Sequence, residues 1–377
     1  MKHLFSLVLL FLLTACGQSP QSDAPAVSVP PAPEVSAPVV ETVPEPLPEP
    51  DPVQERLDSM TLEQKLGQLF FVRCPTDGGA ALAASDRCPG GFLLFGQDFE
   101  NRTKQQVIDR ISAFQSAAQT PLLIGADEEG GTVVRVSRYF REEKFRSPRA
   151  LYRSGGLEAI LADTTEKDAF LASFGINVNL APVADLSTDS ADFIYPRALG
   201  EDAETTAAYI AAVVKQMNTD GMGSVLKHFP GYGSNIDTHT DRAVDDRPLT
   251  VFEGADLLPF IAGIEADAPC VLVSHNIVPA FGDELPGSMS PAIIHYLRET
   301  LAFDGVVMTD DLAMAAAAYE NAAVRAVQAG CDLLITSDYE TQYAEVLAAV
   351  QAGELTEAKI DAAAYRVLAW KQVLGLF

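Results

Sequence analysis

The chain has 377 residues and carries 52 acidic against 26 basic side chains, a formal net charge of −26. Such a balance repels nucleic acid and anionic lipid headgroups, so charge recruits neither as a partner. Hydrophobic residues make up 48% of the chain, enough apolar material for a large buried core.

The first element is MKHLFSLVLLFLLTAC, in which one Lys precedes an apolar run from Leu4 to Leu13 and small residues lead to Cys16. The run is short for a bilayer span and reads as the core of a secretory signal, so residues 1–15 are expected to be a signal peptide. Leu13-Thr14-Ala15-Cys16 resembles a bacterial lipobox. That implies a lipid-anchored mature N-terminus at Cys16, whereas a plain signal peptide or an anchor helix is the alternative. Gly17 in place of Asp resembles outer-membrane sorting patterns, which implies a cell-envelope location on the periplasmic side. Residues 16–54 then form a tether. Eleven prolines between Pro20 and Pro52, set among Ala, Val, Ser and Glu, bury no core and favour extended backbone. At roughly 3.1 Å per residue such a tether reaches up to about 100 Å.

Past the tether, short apolar runs alternate with longer amphipathic ones. The runs are QLFFV (68–72), GFLLF (91–95), PLLIGAD (121–127), INVNLAPV (176–183), GSVLKHF (223–229), CVLVSH (270–275), GVVMTD (305–310) and CDLLIT (331–336). Between most of them lie stretches of helical spacing: TKQQVIDRISAFQSAAQ, LEAILADTTEKDAFLASFG, AETTAAYIAAVVKQMNTDG, PAIIHYLRET and NAAVRAVQAG. Runs that are apolar throughout predict a sheet covered on both faces, as parallel sheets are. Eight such units within residues 55–377 predict an α/β fold of the (β/α)8 TIM-barrel type, with a doubly wound open sheet as the alternative. The first unit is the weakest, since the link from 72 to 91 leaves little room for a helix. A monomer is expected. Cys74 and Cys88 flank a Gly/Asp-containing segment and would close a small loop if bonded, a pairing left open here; Cys270 and Cys331 read as buried thiols. No CxxC spacing suggests a zinc ribbon.

In barrels of this kind chemistry gathers where strands end. Asp127 ends the third run, Asp185 closely follows the fourth, and Lys227-His228 end the fifth. His275 ends the sixth and Asp310-Asp311 end the seventh. Five strands delivering titratable groups to one rim favour an active site over scattered surface polarity.

Retaining cleavage of a glycosidic bond needs a carboxylate nucleophile and a proton donor for the leaving oxygen. Asp310 or Asp311 suits the first role, since strand alternation turns only one of them inward. His239 suits the second, with Asp237 two residues before it to fix its tautomer and support its proton. Pro230, Gly231 and Gly233 predict a mobile loop that carries the donor over bound substrate. Taken alone, Asp237-Thr238-His239 is also compatible with an ordinary solvated turn. A divalent metal held by His228, His239, His275 and aspartates is a rival reading, but no HxH or HExxH motif supports it and Lys227 would oppose the metal's charge.

Eight ordered blocks add to this reading: ADEEGGTVVRV (126–136), GINVNLAPVADL (175–186), PRALGED (196–202), KHFPGYG (227–233), DTH (237–239), LVSHNIVPAF (272–281), SMSPAII (288–294) and MTDDLAM (308–314). In these blocks, over nearly the whole folded region, the sequence resembles glycoside hydrolase family 3, in its β-N-acetylhexosaminidase branch. The resemblance implies Asp310 as nucleophile and His239, paired with Asp237, as acid/base. It implies that Asp127, Arg135, Arg197, Lys227 and His228 hold the sugar, and that no metal or cofactor takes part. Arg135 and Arg197 could instead be structural ion pairs, and Lys227 a buried counter-charge for Asp127 or Asp310.

The implied activity is exo-hydrolysis of N-acetylglucosaminides, with peptidoglycan fragments as the candidate substrate for an envelope lipoprotein. Two departures from the family pattern stand out. Tyr232 replaces the usual His after Pro230-Gly231, and the loop from Gly233 to Asp237 is shorter. A non-catalytic glycan-binding lipoprotein, a β-glucosidase and a metal-dependent barrel hydrolase are the alternative functions.

Overall fold

The computed structural model describes Ser28 and residues 51–235, 237–238 and 242–377. Cys16 and His239, both singled out from the sequence, lie outside the described residues. The chain divides into two units, Met1–Glu49 and Pro50–Phe377. All but one residue of the first fall outside the description, and the second is the folded body.

The fold begins slightly earlier than the sequence boundary at residue 55. Helix α1 (Pro52–Asp58) takes in Pro52, Val53 and Gln54. Asp51 caps it by accepting from Val53 N–H at 2.9 Å, and Pro52 at the first turn has no N–H to leave unpaired. Val53 and Leu57 are buried in the core, and the Tyr365 hydroxyl, 2.8 Å from Asp51, ties this start to the last helix (Glu357–Val373).

Each of the eight apolar runs contains a strand: β1 (Phe70–Arg73), β2 (Gly91–Leu94), β3 (Leu123–Ala126), β4 (Val178–Asn179), β5 (Gly223–Ser224 and Leu226–Phe229), β6 (Cys270–Val273), β7 (Val306–Thr309) and β8 (Leu334–Thr336). Parallel ladders join β8, β1, β2, β3, β4 and the first half of β5, then the second half of β5, β6 and β7. A further parallel bridge pairs Met308 with Leu333, and Thr309 N–H donates to the Leu333 carbonyl at 3.0 Å. An α/β fold with parallel sheets in this order fits a TIM-type domain.

The strand side chains explain why the runs are apolar throughout. Phe71, Leu93, Leu123, Leu272 and Met308 fill one inner cluster, closed at one end by Val367 and Trp370 of the last helix. Their strand neighbours Phe70, Phe92, Ile124, Val273 and Val307 face the other way and pack in the larger core shared with the helices. Both faces are buried, so alternation is absent from the sequence but present in space.

The link between β1 and β2 holds a short helix, Gly79–Ala83. Another helix, Leu258–Ile264, fills the connection from β5 to β6 that the sequence reading left without one. Cys74 and Cys88 are separate buried thiols and not a disulfide. Each thiol turns to a backbone carbonyl, Cys74 toward Pro75 and Cys88 toward Pro89 and Thr120. No helix among the described residues is long and apolar enough to cross a membrane.

Candidate active site

Strand β3 delivers Asp127 to the rim and runs straight into a tight hairpin, Glu128–Gly130 against Val133–Val134. The hairpin is fixed from within. The Glu128 carboxylate accepts from the backbone N–H groups of Arg135 (3.0 Å), Val136 (2.7 Å) and Ser137 (3.3 Å), and from the Ser137 hydroxyl. From β4, Asn179 brackets the Glu128 backbone, accepting its N–H at 3.0 Å and donating to its carbonyl at 3.2 Å. The turn needs its glycines: Gly130 has φ +96°, and a Cβ there would lie 2.2 Å from the Arg146 carbonyl oxygen. Side chains 127, 129 and 135 are thereby presented toward the strand ends.

A buried charge cluster occupies that position. Lys227, from β5, is 2% exposed and places its ammonium 2.7 Å from Asp127 Oδ1 and 2.6 Å from Glu129 Oε1. Arg197 grips Glu129 with two hydrogen bonds, Nε to Oε2 at 2.9 Å and Nη2 to Oε1 at 2.8 Å. Burial alone would raise the Glu129 carboxyl, but the Arg197 and Lys227 charges and their hydrogen bonds outweigh it and hold Glu129 well below the usual carboxylate range. Arg197 responds in kind: burial would lower it, Glu129 overrides that, and the guanidinium stays charged. Arg135 stands at the edge of the cluster, its Nε 4.0 Å from Asp127 Oδ2 and its side chain partly exposed.

His228 sits between two charged neighbours. Its Nδ1 lies 2.7 Å from Asp185 Oδ2, and Arg197 Nη2 faces its Nε2 at 3.0 Å. The guanidinium can only donate, so Nε2 accepts and the proton resides on Nδ1, directed at Asp185. A metal at His228 would need a ring nitrogen that these neighbours already occupy. Asp185 is 1% exposed and also accepts from the backbone N–H groups of His228 (3.1 Å) and Tyr232 (2.7 Å). It fixes both the imidazole and the chain where β5 turns into the following loop. The peptide bonds Lys227-His228 and Phe229-Pro230 are cis.

At the end of β7, Asp310 and Asp311 diverge in role. Asp311 accepts from the Ser337 hydroxyl at 2.7 Å and from Ala313 N–H at 2.9 Å, so its two oxygens serve the turn. Asp310 accepts from Asp311 N–H at 2.8 Å, and its own N–H donates to the Val273 carbonyl of β6 at 3.2 Å. His275 steadies this turn: the Asp311 carbonyl can only accept, so His275 Nε2 donates to it at 3.0 Å, while Nδ1 meets the Ser288 hydroxyl at 2.7 Å.

The loop after β5 is anchored at both ends. Arg247 binds Asp245 and Asp256, and Asn235 donates to Asp245 and to the Tyr232 carbonyl. Within the loop Thr238 is 1% exposed and Asp237 is half-buried. The Thr238 carbonyl accepts from Ala316 N–H, in the segment that follows Asp310, at 3.3 Å.

Of the residues singled out from the sequence, the structure gathers Asp127, Arg135, Arg197, Lys227 and His228 into one connected group. Asp310 lies at the end of β7 and Asp237 in the loop after β5. Glu129 was not singled out beforehand, and Asp185 and His275 were placed at the rim without an assigned role. Glu129 holds the two buried cations together, Asp185 orients His228, and His275 supports the Asp310–Asp311 turn. The sequence signal for Glu129 was its place in the run Asp127-Glu128-Glu129, where residues 127 and 129 share one face and 128 the other. Among the described residues, no three His, Cys, Asp or Glu side chains are grouped to hold a metal ion.

A parallel α/β domain of TIM type, with acids and bases collected where its strands end, has the layout of an enzyme. Residues 61–370 match the model of the glycosyl hydrolase family 3 N-terminal domain, and the chain belongs to that family. It is 36% identical over 314 residues to a β-hexosaminidase of Xanthomonas campestris pv. campestris, covering 79% of this chain and 93% of the relative. A β-hexosaminidase of Stenotrophomonas maltophilia is 37% identical over 300 residues, covering 75% and 88%. Among solved structures, a β-N-acetylhexosaminidase from Beutenbergia cavernae superposes with a TM-score of 0.75 at 30% identity, covering 83% of this chain and 99% of its own. A family 3 β-N-acetylglucosaminidase from Paenibacillus sp. gives 0.78 at 30% identity over 84% of this chain, but this chain spans only 63% of that longer protein.

Proposed function

We propose that this protein is a retaining exo-β-N-acetylhexosaminidase, built on a closed (β/α)8 barrel, that removes terminal N-acetylglucosamine from glycosides. The relatives named β-hexosaminidase and the solved β-N-acetylglucosaminidase and β-N-acetylhexosaminidase structures support the activity. The Met308–Leu333 bridge between β7 and β8 supports closure of the barrel.

The observation that carries the mechanism is the link between two segments. Thr238, between Asp237 and His239, accepts a hydrogen bond from Ala316 in the segment that follows Asp310. In the first step an Asp310 oxygen attacks the anomeric carbon, forming a C–O bond as the glycosidic C–O bond breaks. His239 gives its proton to the departing oxygen, and Asp237 supports the charge on the imidazole. In the second step His239 takes a proton from water, which attacks the same carbon, releases the sugar and returns Asp310 as a carboxylate. The resemblance of MTDDLAM to the family's block supports Asp310 over its neighbour as nucleophile. Arg135, Asp127, Arg197, Lys227 and His228 form the wall that receives the sugar. In this role the buried Lys227 and Arg197 hold Asp127 and His228 in fixed orientations for its hydroxyls.

The same reading takes Cys16 as a lipid anchor, residues 16–54 as a stalk, and the periplasmic side of the outer membrane as the location. Peptidoglycan fragments then become the accessible substrate. The test is hydrolysis of 4-nitrophenyl N-acetyl-β-D-glucosaminide by the wild-type chain with and without EDTA, beside Asp310→Ala. Chelator-resistant turnover that is lost in the variant is the expected result. Turnover that EDTA abolishes would favour a metal-dependent hydrolase, and sugar binding without turnover would favour a glycan-binding protein.

A further inference from the structure

Tyr232 stands at the base of the loop after β5, and its surroundings give it a specific task. The side chain is 2% exposed. Its ring lies between Phe193 and His228, at centroid distances of 5.5 Å from each. Its backbone N–H is held by Asp185, so the position of the hydroxyl is fixed from the strand end outward. That hydroxyl makes two bonds to one residue. Thr238 N–H donates to it at 3.0 Å, and Thr238 Oγ1 lies 2.9 Å away. With the Ala316 N–H on the Thr238 carbonyl, every polar group of Thr238 has a partner, one side from Tyr232 just after β5 and the other from the segment after β7.

We infer that Tyr232 is a positioning residue for proton transfer: its hydroxyl clasps Thr238 and thereby fixes the backbone next to Asp237, the carboxylate of the proposed acid/base dyad. This rests on the reading of His239 as the acid/base. Thr238 is the one residue between the two members of that dyad, so an error in its placement passes directly to both. Reaction geometry is sensitive on this scale, and a misplacement of about 1 Å can cost on the order of 10²-fold. Tyr232 does not itself move the proton. Burial pushes its hydroxyl up to about 12, and the Asp310 and Asp237 charges add to that, so it stays a neutral hydrogen-bonding group through the working range.

The clasp has a signature distinct from a general structural role. Loss of well-placed acid catalysis harms substrates in proportion to the basicity of their leaving group, whereas loss of folded protein harms all substrates equally. The experiment compares kcat/KM of the full-length chain in detergent for wild type, Tyr232→Phe and Thr238→Val. The substrates are the 2,4-dinitrophenyl and phenyl N-acetyl-β-D-glucosaminides, and thermal unfolding is followed in parallel. Tyr232→Phe is expected to lose about 10- to 100-fold on the phenyl substrate and no more than about 2-fold on the dinitrophenyl one. Thr238→Val keeps the N–H bond and loses only the Oγ1 contact, so it is expected to lose about 5-fold on the phenyl substrate, again selectively. Equal losses on both substrates, or no loss on either, would overturn the clasp. Should Tyr232→Phe not fold, Thr238→Val decides by the same criterion. Wild-type protein that hydrolyses neither substrate would instead overturn the reading of the site as a hexosaminidase, and the clasp with it.

Discussion

Lys227 Nζ stands 2.6 Å from Glu129 Oε1, and both side chains are sealed from solvent. Breaking such a pair by removing one partner leaves an uncompensated buried charge, which typically costs about 3–5 kcal/mol. Here Glu129 answers two cations, Lys227 and Arg197. Glu129→Gln is expected to destabilise the fold by about 3 kcal/mol or more in urea titrations and to reduce turnover at the same time. An unchanged urea midpoint with full activity would show that the cluster tolerates the missing charge.

Asp310 and Asp311 offer a sharp contrast between neighbours. Asp310→Asn is expected to lose on the order of 10⁴-fold in kcat, because no covalent intermediate forms. Asp311→Asn keeps one acceptor oxygen for Ala313 N–H, and its amide can donate to the Ser337 hydroxyl oxygen, so it is expected to stay within about 10-fold of wild type. Steady-state kinetics on the chromogenic substrate distinguish the two, and a reversed order would assign the nucleophile to Asp311.

His275 is expected to act through this same turn. Removing the donor to the Asp311 carbonyl in His275→Ala lets the Asp310 segment shift, with an expected fall in kcat of about 10- to 100-fold and little change in KM. A fall confined to KM would place His275 in binding the sugar.

Much of the architecture was legible beforehand, because eight apolar runs with helical stretches between them leave few other folds. Helix Leu258–Ile264 was missed: it follows short helical turns at Leu249–Val251 and Phe252–Asp256, and Asp256 there is held by Arg247 from the preceding loop. The site was legible in part. Strand ends named Asp127, Lys227-His228 and Asp310, but nothing local tells that Lys227 lies against Glu129, or that Asp185 directs the His228 proton. Those pairings join residues far apart in the sequence, and only folding reveals them. In the loop, whose glycines predict motion, Tyr232 holds Thr238 by two hydrogen bonds that no local motif announces.

Two buried groups make stability depend on pH in opposite senses. Burial and the nearby Asp220 charge raise Asp168 to about 8 from 3.8. The folded state therefore binds the proton more tightly, and this contribution is full below about pH 3.8 and lost as pH rises to 8. Asp168→Asn is expected to flatten that fall, measured as urea midpoints between pH 5 and 9. Lys371 is fully buried beside Gln68 Oε1, and burial lowers it to about 7 from 10.5. Its protonation favours the unfolded chain, so this contribution is present above about pH 10.5 and lost as pH falls to 7. Lys371→Met is expected to gain most over wild type at pH 6 and least near pH 10. An equal gain at every pH would mean that packing, and not charge, sets the difference.

The central claim is a covalent glycosyl-enzyme on Asp310, and trapping it is the most direct test. A slow 5-fluoro N-acetylglucosaminyl fluoride would be incubated with the wild-type chain, followed by intact-mass measurement and peptide mapping. The account predicts one added sugar, carried on the peptide that contains Asp310 and absent from Asp310→Asn. An adduct on Asp311, or turnover with inversion at the anomeric carbon and no adduct, would contradict it.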